Sequence, residues 1–291
     1  MRENAMTIKK KGHFRETWRR LRKSRNAMIG LTLIVLIILV ALTAPLFFNY
    51  ESDAIKQNIT NRLQTPSSTS PFGTDELGRN VLARVAYGAR ISLVIGVVSC
   101  VICCTIGVLL GALAGYFGGW VESVIMRFSD ILMAIPSILL AIVIVAAFGV
   151  NLFNIIIAVG VATIPQYIRI TRASVLTVVN QEYIEAAHAV GAGTPRTIFT
   201  HILPNCFAPI LVQATLRVAT VIAEAASLSF LGLGVPSPTP EWGAMLAAGR
   251  AYMRDYSYLV IFPGLAIMLT ILSLNLLGDG LRDALDPKLK R

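Results

Sequence analysis

The chain has 291 residues, of which 55% are hydrophobic and only 14% charged, with a mean hydropathy of +0.67. Soluble domains carry roughly 25% charged residues, and several apolar runs here reach bilayer length, so a soluble globular protein is excluded. The net charge of +10 does not point to nucleic acid: ten of the 26 basic residues precede Met28 and most others flank apolar runs, a membrane-topology pattern, and no basic-aromatic interleaving on a soluble fold supports base readout.

Residues 1–27 form a basic segment expected on the cytoplasmic side. Phe14, Trp18 and Leu21 share helical spacing among Arg15, Arg19, Arg20, Arg22 and Lys23, which fits either a helix on an anionic inner leaflet or a basic tail that sets topology. Residues 28–48 read as a first transmembrane helix. The apolar run exceeds the h-region of a signal peptide and lacks a small-x-small cleavage site.

Residues 49–90 form the longest polar interval, placed outside the membrane. Pro66 to Ser70 is turn-rich, and Val81, Leu82 and Val85 suggest a short interfacial helix leading into the next span. Lys56, Arg62, Arg79, Arg84 and Arg90 lie in this interval, which weakens the positive-inside signal locally. Asn58-Ile59-Thr60 has the form of a glycosylation sequon, read as chance occurrence.

The core, residues 91–280, carries five further spans. Ile91 to Gly115 is the second span, and Gly107, Gly111 and Gly115 give it one smooth face for close packing. Glu122, Arg127 and Asp130 fall in what reads as a short cytoplasmic link. Ile131 to Gly149 is the third span with Pro136 near its start, and Leu152 to Ile170 the fourth with Pro165 inside it. Arg169 and Arg172 mark the cytoplasmic end of the fourth by snorkelling.

Residues 182–205, EYIEAAHAVGAGTPRTIFTHILPN, interrupt the apolar pattern on the inner side. Tyr183 to Val190 is helix-forming, with Ala186, Ala187 and Ala189 as small contact positions, and Gly191 and Gly193 break it. Thr194 as N-cap and Pro195 at the first helical position open a second short helix, which Pro204 ends. The product is a compact helical knob, or else an ordinary cytoplasmic loop.

Phe207 to about Leu233 is the fifth span. Arg217 and Glu224, seven residues apart, project from one face of it. Ionisable groups at such depth face a protein interior or a wet path, so the two stabilise the bundle or line a transport route. Residues 234–257 are a second outer loop with Pro236, Pro238, Pro240 and Trp242. Tyr258 to Leu277 is the last span, interrupted by Pro263 and Gly264, and residues 281–291 form a cytoplasmic tail. Six spans place both termini inside.

The chemistry of a self-contained enzyme or pump is missing. No G-x-x-x-x-G-K-[ST] phosphate loop occurs, and no lysine lies between Lys56 and Lys288. HExxH and GxSxG are also absent, and His13, His188 and His201 share no metal-ligand spacing. Cys100, Cys103, Cys104 and Cys206 read as packing residues. No catalytic or metal site is therefore assigned. A secondary transporter would show paired broken repeats and midplane carboxylates; no repeat is evident, and Glu224 is the one strong carboxylate. An intramembrane enzyme would need a nucleophile or base that is not seen.

Glu185-Ala186-Ala187, then Gly191, then Leu203-Pro204 match the EAA-x3-G-x9-I-x-L-P signature of ABC importer permeases, with one departure at His201, where the pattern has isoleucine. FGTDELGRNVLARVAYGARISL, GYFGGWVESVIMRFSD, HILPNCFAPILVQ and GDGLRDALDPKLK are similar to the dipeptide/oligopeptide/nickel group of these permeases. The chain most resembles the "C" permease subunit of dipeptide importers. The resemblance implies an all-α integral membrane protein of the type I ABC importer kind in a bacterial plasma membrane. It implies a homologous second permease subunit, two ATP-binding subunits that hold ATP and Mg, and an extracytoplasmic binding protein, with no cofactor on this chain. Glu185, Ala186, Ala187, Gly191, Leu203 and Pro204 would belong to the ATPase-coupling element.

Overall fold

The computed structural model describes residues 13–285; what the sequence implies for 1–12 and 286–291 lies outside them. Regular structure among the described residues is helical, apart from one isolated bridge between Thr74 and Asn80. The α-helices are α1 (His13–Leu21), α2 (Arg25–Phe47), α3 (Val81–Phe117), α4 (Gly119–Ala134), α5 (Ser137–Phe148), α6 (Leu152–Val161), α7 (Ile164–Val178), α8 (Glu182–Ala189), α9 (Thr194–Arg196), α10 (Phe207–Leu228), α11 (Trp242–Gly249) and α12 (Tyr258–Leu285). Four helices are long and apolar enough to cross a membrane unaided: α2, α3, α10 with its extension to Leu233, and α12. Two bent pairs, α4/α5 at 89° and α6/α7 at 44°, make up to six if each is one span.

The central element is α3. Its 37 residues extend about 55 Å at 1.5 Å each, so the stretch from Val81 that reads as a separate interfacial helix is the first turns of the same rod. Asn80 starts it by accepting the Leu82 and Ala83 N–H groups on its side-chain oxygen. The glycine stripe works as the sequence implies: a Cβ on Gly111 would fall 2.5 Å from the Ile168 carbonyl, and one on Gly115 2.8 Å from Val175 Cβ. These glycines bring α3 and α7 backbone to backbone. Gly96 admits Ile222 and Val218 of α10, and Gly30 seats α2 against Ser273 and Leu277 of α12.

Four boundaries differ from the sequence reading. The link after the second span is the helix α4. Its Glu122 and Asp130 carboxylates accept from Arg172 Nε at 2.6 Å and Arg169 Nη2 at 2.7 Å, and the chain then turns at Ile135-Pro136. Arg169 and Arg172 are accordingly ion-paired within a helix that continues to Val178, past the expected end at Ile170. The loop 234–257 contains α11, whose Trp242 is buried and donates from Nε1 to the Val85 carbonyl at 2.9 Å. Pro263 stays within α12, which passes position 280 and ends at Leu285.

The two ends of the bundle are distinct. At one, the 49–80 segment closes over the start of α3. Asp75 pairs with Arg79 at 2.6 Å and with Arg84 at 3.4 Å, all three buried, and Arg84 also donates to the Ala54 and Pro238 carbonyls. Arg90 Nε donates to the Ala41 carbonyl. The basic residues that blur the positive-inside signal here are thus largely engaged in structural bonds. Tyr258 Oη joins this cap to α12 by donating to the carbonyls of Gln64 and Thr74. The opposite end, where α3 finishes, carries residues 182–205. There Leu21 of the α1 helix packs with Ala27 and Ala284, so both ends of the described chain meet on that side.

Candidate functional site

The 182–205 knob is held from beneath by apolar side chains. Ile184, Ile198 and Ile202 are buried with Ala112 of α3, Val175 of α7 and Ile210 of α10. On an 8-residue helix, residues three apart share a face, so Ile184 takes Ala187 inward with it, and Ala187 is 9% exposed. Ala187 is therefore a seat for the helix, whereas Glu185, Ala186 and Ala189 face out. Glu182 and Glu185 lie in the first turn of α8, where the helix dipole favours negative charge.

The turn after α8 needs a glycine. Gly191 has φ +84, with nothing within 4 Å of where its Cβ would stand, so the requirement is backbone conformation rather than space. Its N–H donates to the His188 carbonyl and that of Ala192 to the Ala187 carbonyl. Gly193, not Thr194, caps the next turn: the Gly193 carbonyl accepts the N–H and hydroxyl of Thr197, and Thr194 begins α9. A π turn over Thr197–Ile202 and a 3-10 turn over Leu203–Asn205 then lead to α10. Pro204 sits exposed in that 3-10 turn, Leu203 half-buried behind it. The departure from the permease signature at His201 is accommodated locally. Ile202 is fully buried and His201 only half so, so the neighbouring isoleucine supplies the packing.

What the knob presents outward is unsatisfied surface. Val190 at the tip is 85% exposed and Phe199 57%. The Glu185 carboxylate has no hydrogen-bond or ion-pair partner among the described residues. Tyr116 Oη lies 3.4 Å from His188 Nε2, connecting the knob to the last turn of α3. Burial pushes the Cys206 thiol behind it up to about 11, so it stays protonated and unreactive at neutral pH.

Above the knob an open, mostly apolar cleft of about 790 Å³ lies between Cys100, Cys104 and Leu109 of α3 and the run Phe199 to Ala214. Cys100 Sγ is 2.9 Å from Tyr167 Oη and 3.3 Å from the Ala214 carbonyl, a packing contact at the cleft wall. Arg217 and Glu224 do lie on one helix, both half-buried. They part company in their bonds. The Glu224 carboxylate accepts from Ser137 Oγ at 2.9 Å, beside the α4/α5 break, while the Arg217 guanidinium has no hydrogen-bond or ion-pair partner among the described residues.

Sequence reasoning missed Glu241. It is 2% exposed, accepts the Gly243 and Ala244 N–H groups as the N-cap of α11, and takes a hydrogen bond from Ser92 Oγ. The Pro-rich run ahead of it gave the signal of a loop, although a carboxylate directly before Trp-Gly-Ala-Met is also a helix start.

Residues 107–291 match the family described as binding-protein-dependent transport system inner membrane component, and residues 13–66 match the N-terminal TM domain of oligopeptide transport permease C. The chain belongs to this permease family. It is 47% identical over 277 residues to the dipeptide transport system permease protein DppC of Alkalihalophilus pseudofirmus, covering 95% of this chain and 90% of that one. The di/tripeptide transport system permease protein DppC of Pseudomonas aeruginosa is 47% identical, with 95% and 92% covered. The glutathione transport system permease protein GsiD of Escherichia coli O6:K15:H31 is 46% identical, with 99% and 96% covered. Among solved structures, an inward-facing MetNI methionine ABC transporter superposes with a TM-score of 0.57 at 18% identity, covering 70% of this chain and 97% of that one; it shares the fold. The family is one of membrane permease components rather than ATPases.

Proposed function

We propose that this permease is one of two transmembrane subunits of an ATP-driven importer that moves dipeptides or other short peptides into the cell. The reading gives it six spans, with each bent pair counted as one, in a bacterial plasma membrane. The N-terminus, the C-terminus and the 182–205 knob are cytoplasmic, and the capped 49–80 segment faces outside. A homologous second permease completes the pathway, two ATP-binding subunits dock underneath with ATP and Mg, and an extracytoplasmic binding protein delivers substrate. No cofactor resides on this chain.

The observation that carries the proposal is the knob itself. A rigidly seated helix-turn-helix exposes Val190, Ala186 and an unpaired Glu185 around the Gly191 turn, which is a surface made for a partner. Glu185, Ala186, Gly191 and Pro204 form or shape the docking face, with Ala187 and Leu203 packing behind it. ATP-driven closure of the ATPases pushes this knob, and rigid-body rocking at the subunit interface switches access. Arg217 and Glu224 line the route. The glutathione permease relatives support a second cargo, glutathione-like peptides, with oligopeptides and nickel chelates behind.

The test is uptake by the reconstituted complex with its cognate binding protein. Labelled dipeptide accumulates in proteoliposomes only with ATP, ahead of glutathione and nickel chelates. Failure to move any short peptide under these conditions would overturn the substrate assignment.

A further inference from the structure

Arg84, Tyr87 and Arg90 follow one another at spacings of three on α3, and all three grip the backbone of the chain that precedes this helix. Arg84 Nη1 donates to the Ala54 carbonyl at 2.7 Å, Tyr87 Oη to that of Phe48 at 2.7 Å, and Arg90 Nε to that of Ala41 at 2.5 Å. Arg90 Nη2 also reaches the Leu42 carbonyl at 3.2 Å. The donors advance along α3 as the acceptors step back from 54 to 41, so residues 41–54 lie antiparallel on its first turns. Arg84 and Tyr87 are buried, and the guanidinium carbon of the half-buried Arg90 stands 5.5 Å from the Tyr87 ring centroid.

These carbonyls lie where a helical ladder ends or is broken. Phe48 is the C-cap of α2, and Ala54 falls at the end of the π turn over Tyr50–Ile55. Ala41 is well inside α2, but the residue four positions on is Pro45, which has no N–H and whose ring pushes the i−4 carbonyl aside. The ladder resumes beyond the proline, where the Phe48 N–H donates to the Ala44 carbonyl at 2.9 Å, so the break is local. A carbonyl without a donor is costly in an apolar span, and so is an arginine without an acceptor. Here each liability answers the other, because a charged donor makes a short, strong hydrogen bond to the carbonyl that Pro45 strands.

We propose that Arg90 stands in for the N–H that Pro45 lacks, and so fastens the cap-side end of the first span to α3 as one body. Because the acceptors are backbone atoms, the fastening is indifferent to the side chains at 41 and 42 and depends on the donor and on residue 45. Residues 46–55, which lead from α2 into the cap, then move only with α3. This holds for any cargo the importer carries.

The experiment is a double-mutant cycle in the assembled complex in lipid nanodiscs, read by hydrogen exchange of the amides of residues 46–55. Arg90→Met keeps an apolar stem and removes the donors, and exchange rises about tenfold, as for loss of a hydrogen bond from a charged group. Pro45→Ala alone leaves exchange within about twofold of wild type. In the double variant the restored N–H at position 45 reaches the Ala41 carbonyl, and exchange returns to within about twofold of Pro45→Ala. Tyr87→Phe removes the Phe48 bond and also speeds exchange, but Pro45→Ala does not rescue it. An equal effect of Arg90→Met in both backgrounds overturns the proposal, as does wild-type exchange in Arg90→Met. So does rescue of Tyr87→Phe by Pro45→Ala to the same extent, which would make the proline a general weak point. If Arg90→Met alone does not assemble, the double variant is expected to; failure of both overturns the proposal as well. Exchange is read without transport, so the result stands apart from the cargo assigned above.

Discussion

The two ends of this bundle are built on opposite plans. At the 49–80 end the charged groups are inside: Asp75, Arg79, Arg84 and Glu241 are each 6% exposed or less, and Trp242 fills the space between α3 and α12. At the 182–205 end apolar and charged groups are outside, with Val190 and Phe199 exposed and the Glu185 carboxylate unpaired among the described residues. Internal pairing at one end and external surplus at the other set a self-contained cap against the surface proposed above to dock the ATPases. Substitutions should therefore register as stability losses at the first end and as coupling losses at the second.

The largest effect is expected from Asp75→Ala. It leaves Arg79 and Arg84 buried without their shared carboxylate, and removing one member of a buried pair costs about 3–5 kcal/mol. Thermal unfolding of the purified protein in detergent should show it, together with cleavage of the 49–80 segment by added protease. A midpoint equal to wild type would mean that the cap does not depend on its ion cluster.

Between the ends, Gly111→Val places methyls against the Ile168 carbonyl. Overpacking of this kind costs about 1–3 kcal/mol, read in the same unfolding assay. Retained stability would show that α3 and α7 can separate freely.

At the knob, Gly191→Pro is incompatible with φ +84 and removes the N–H bonded to His188. The strain is about 1–3 kcal/mol but local, so the expected outcome is an inserted protein that co-purifies poorly with its ATPases. Undiminished co-purification would count against the turn as a docking element. Glu185→Lys is the smallest change to the fold, within about 0.5 kcal/mol for an exposed site, and the largest to coupling. ATP hydrolysis should continue without peptide uptake, and normal uptake by this variant would remove Glu185 from the mechanism.

How much of this was legible in the sequence depends on whether the deciding partner is near in the chain. Hydropathy located α2, α3, α10 and α12, and the spacing of Gly107, Gly111 and Gly115 announced a close helix contact, because both signals are carried by one segment. The knob was legible as helix, glycine turn and helix. That Ala187 faces inward was not, since it depends on Ile184 finding Ile198 and Ile202 beneath it. Helix α4 was read as a link because Glu122 and Asp130 look solvated until Arg172 and Arg169 arrive from α7. Glu241 needed Ser92, 149 positions earlier, to explain a buried carboxylate. For Arg217 and Glu224 their spacing put both on one helix face, and only the structure distinguished the carboxylate bonded to Ser137 from a guanidinium with no side-chain partner among the described residues.

The hydroxyl of Tyr258 carries a consequence for biogenesis. It closes the cap through carbonyls of Gln64 and Thr74, groups 194 and 184 residues earlier in the chain. The cap segment is synthesised early, yet these two acceptors find their donor only when the final helix has been made. Closing contacts of such sequence separation is slow, so this tie waits for the end of the chain: a ribosome stalled before Tyr258 leaves the Gln64 and Thr74 carbonyls without it, and a finished chain supplies it.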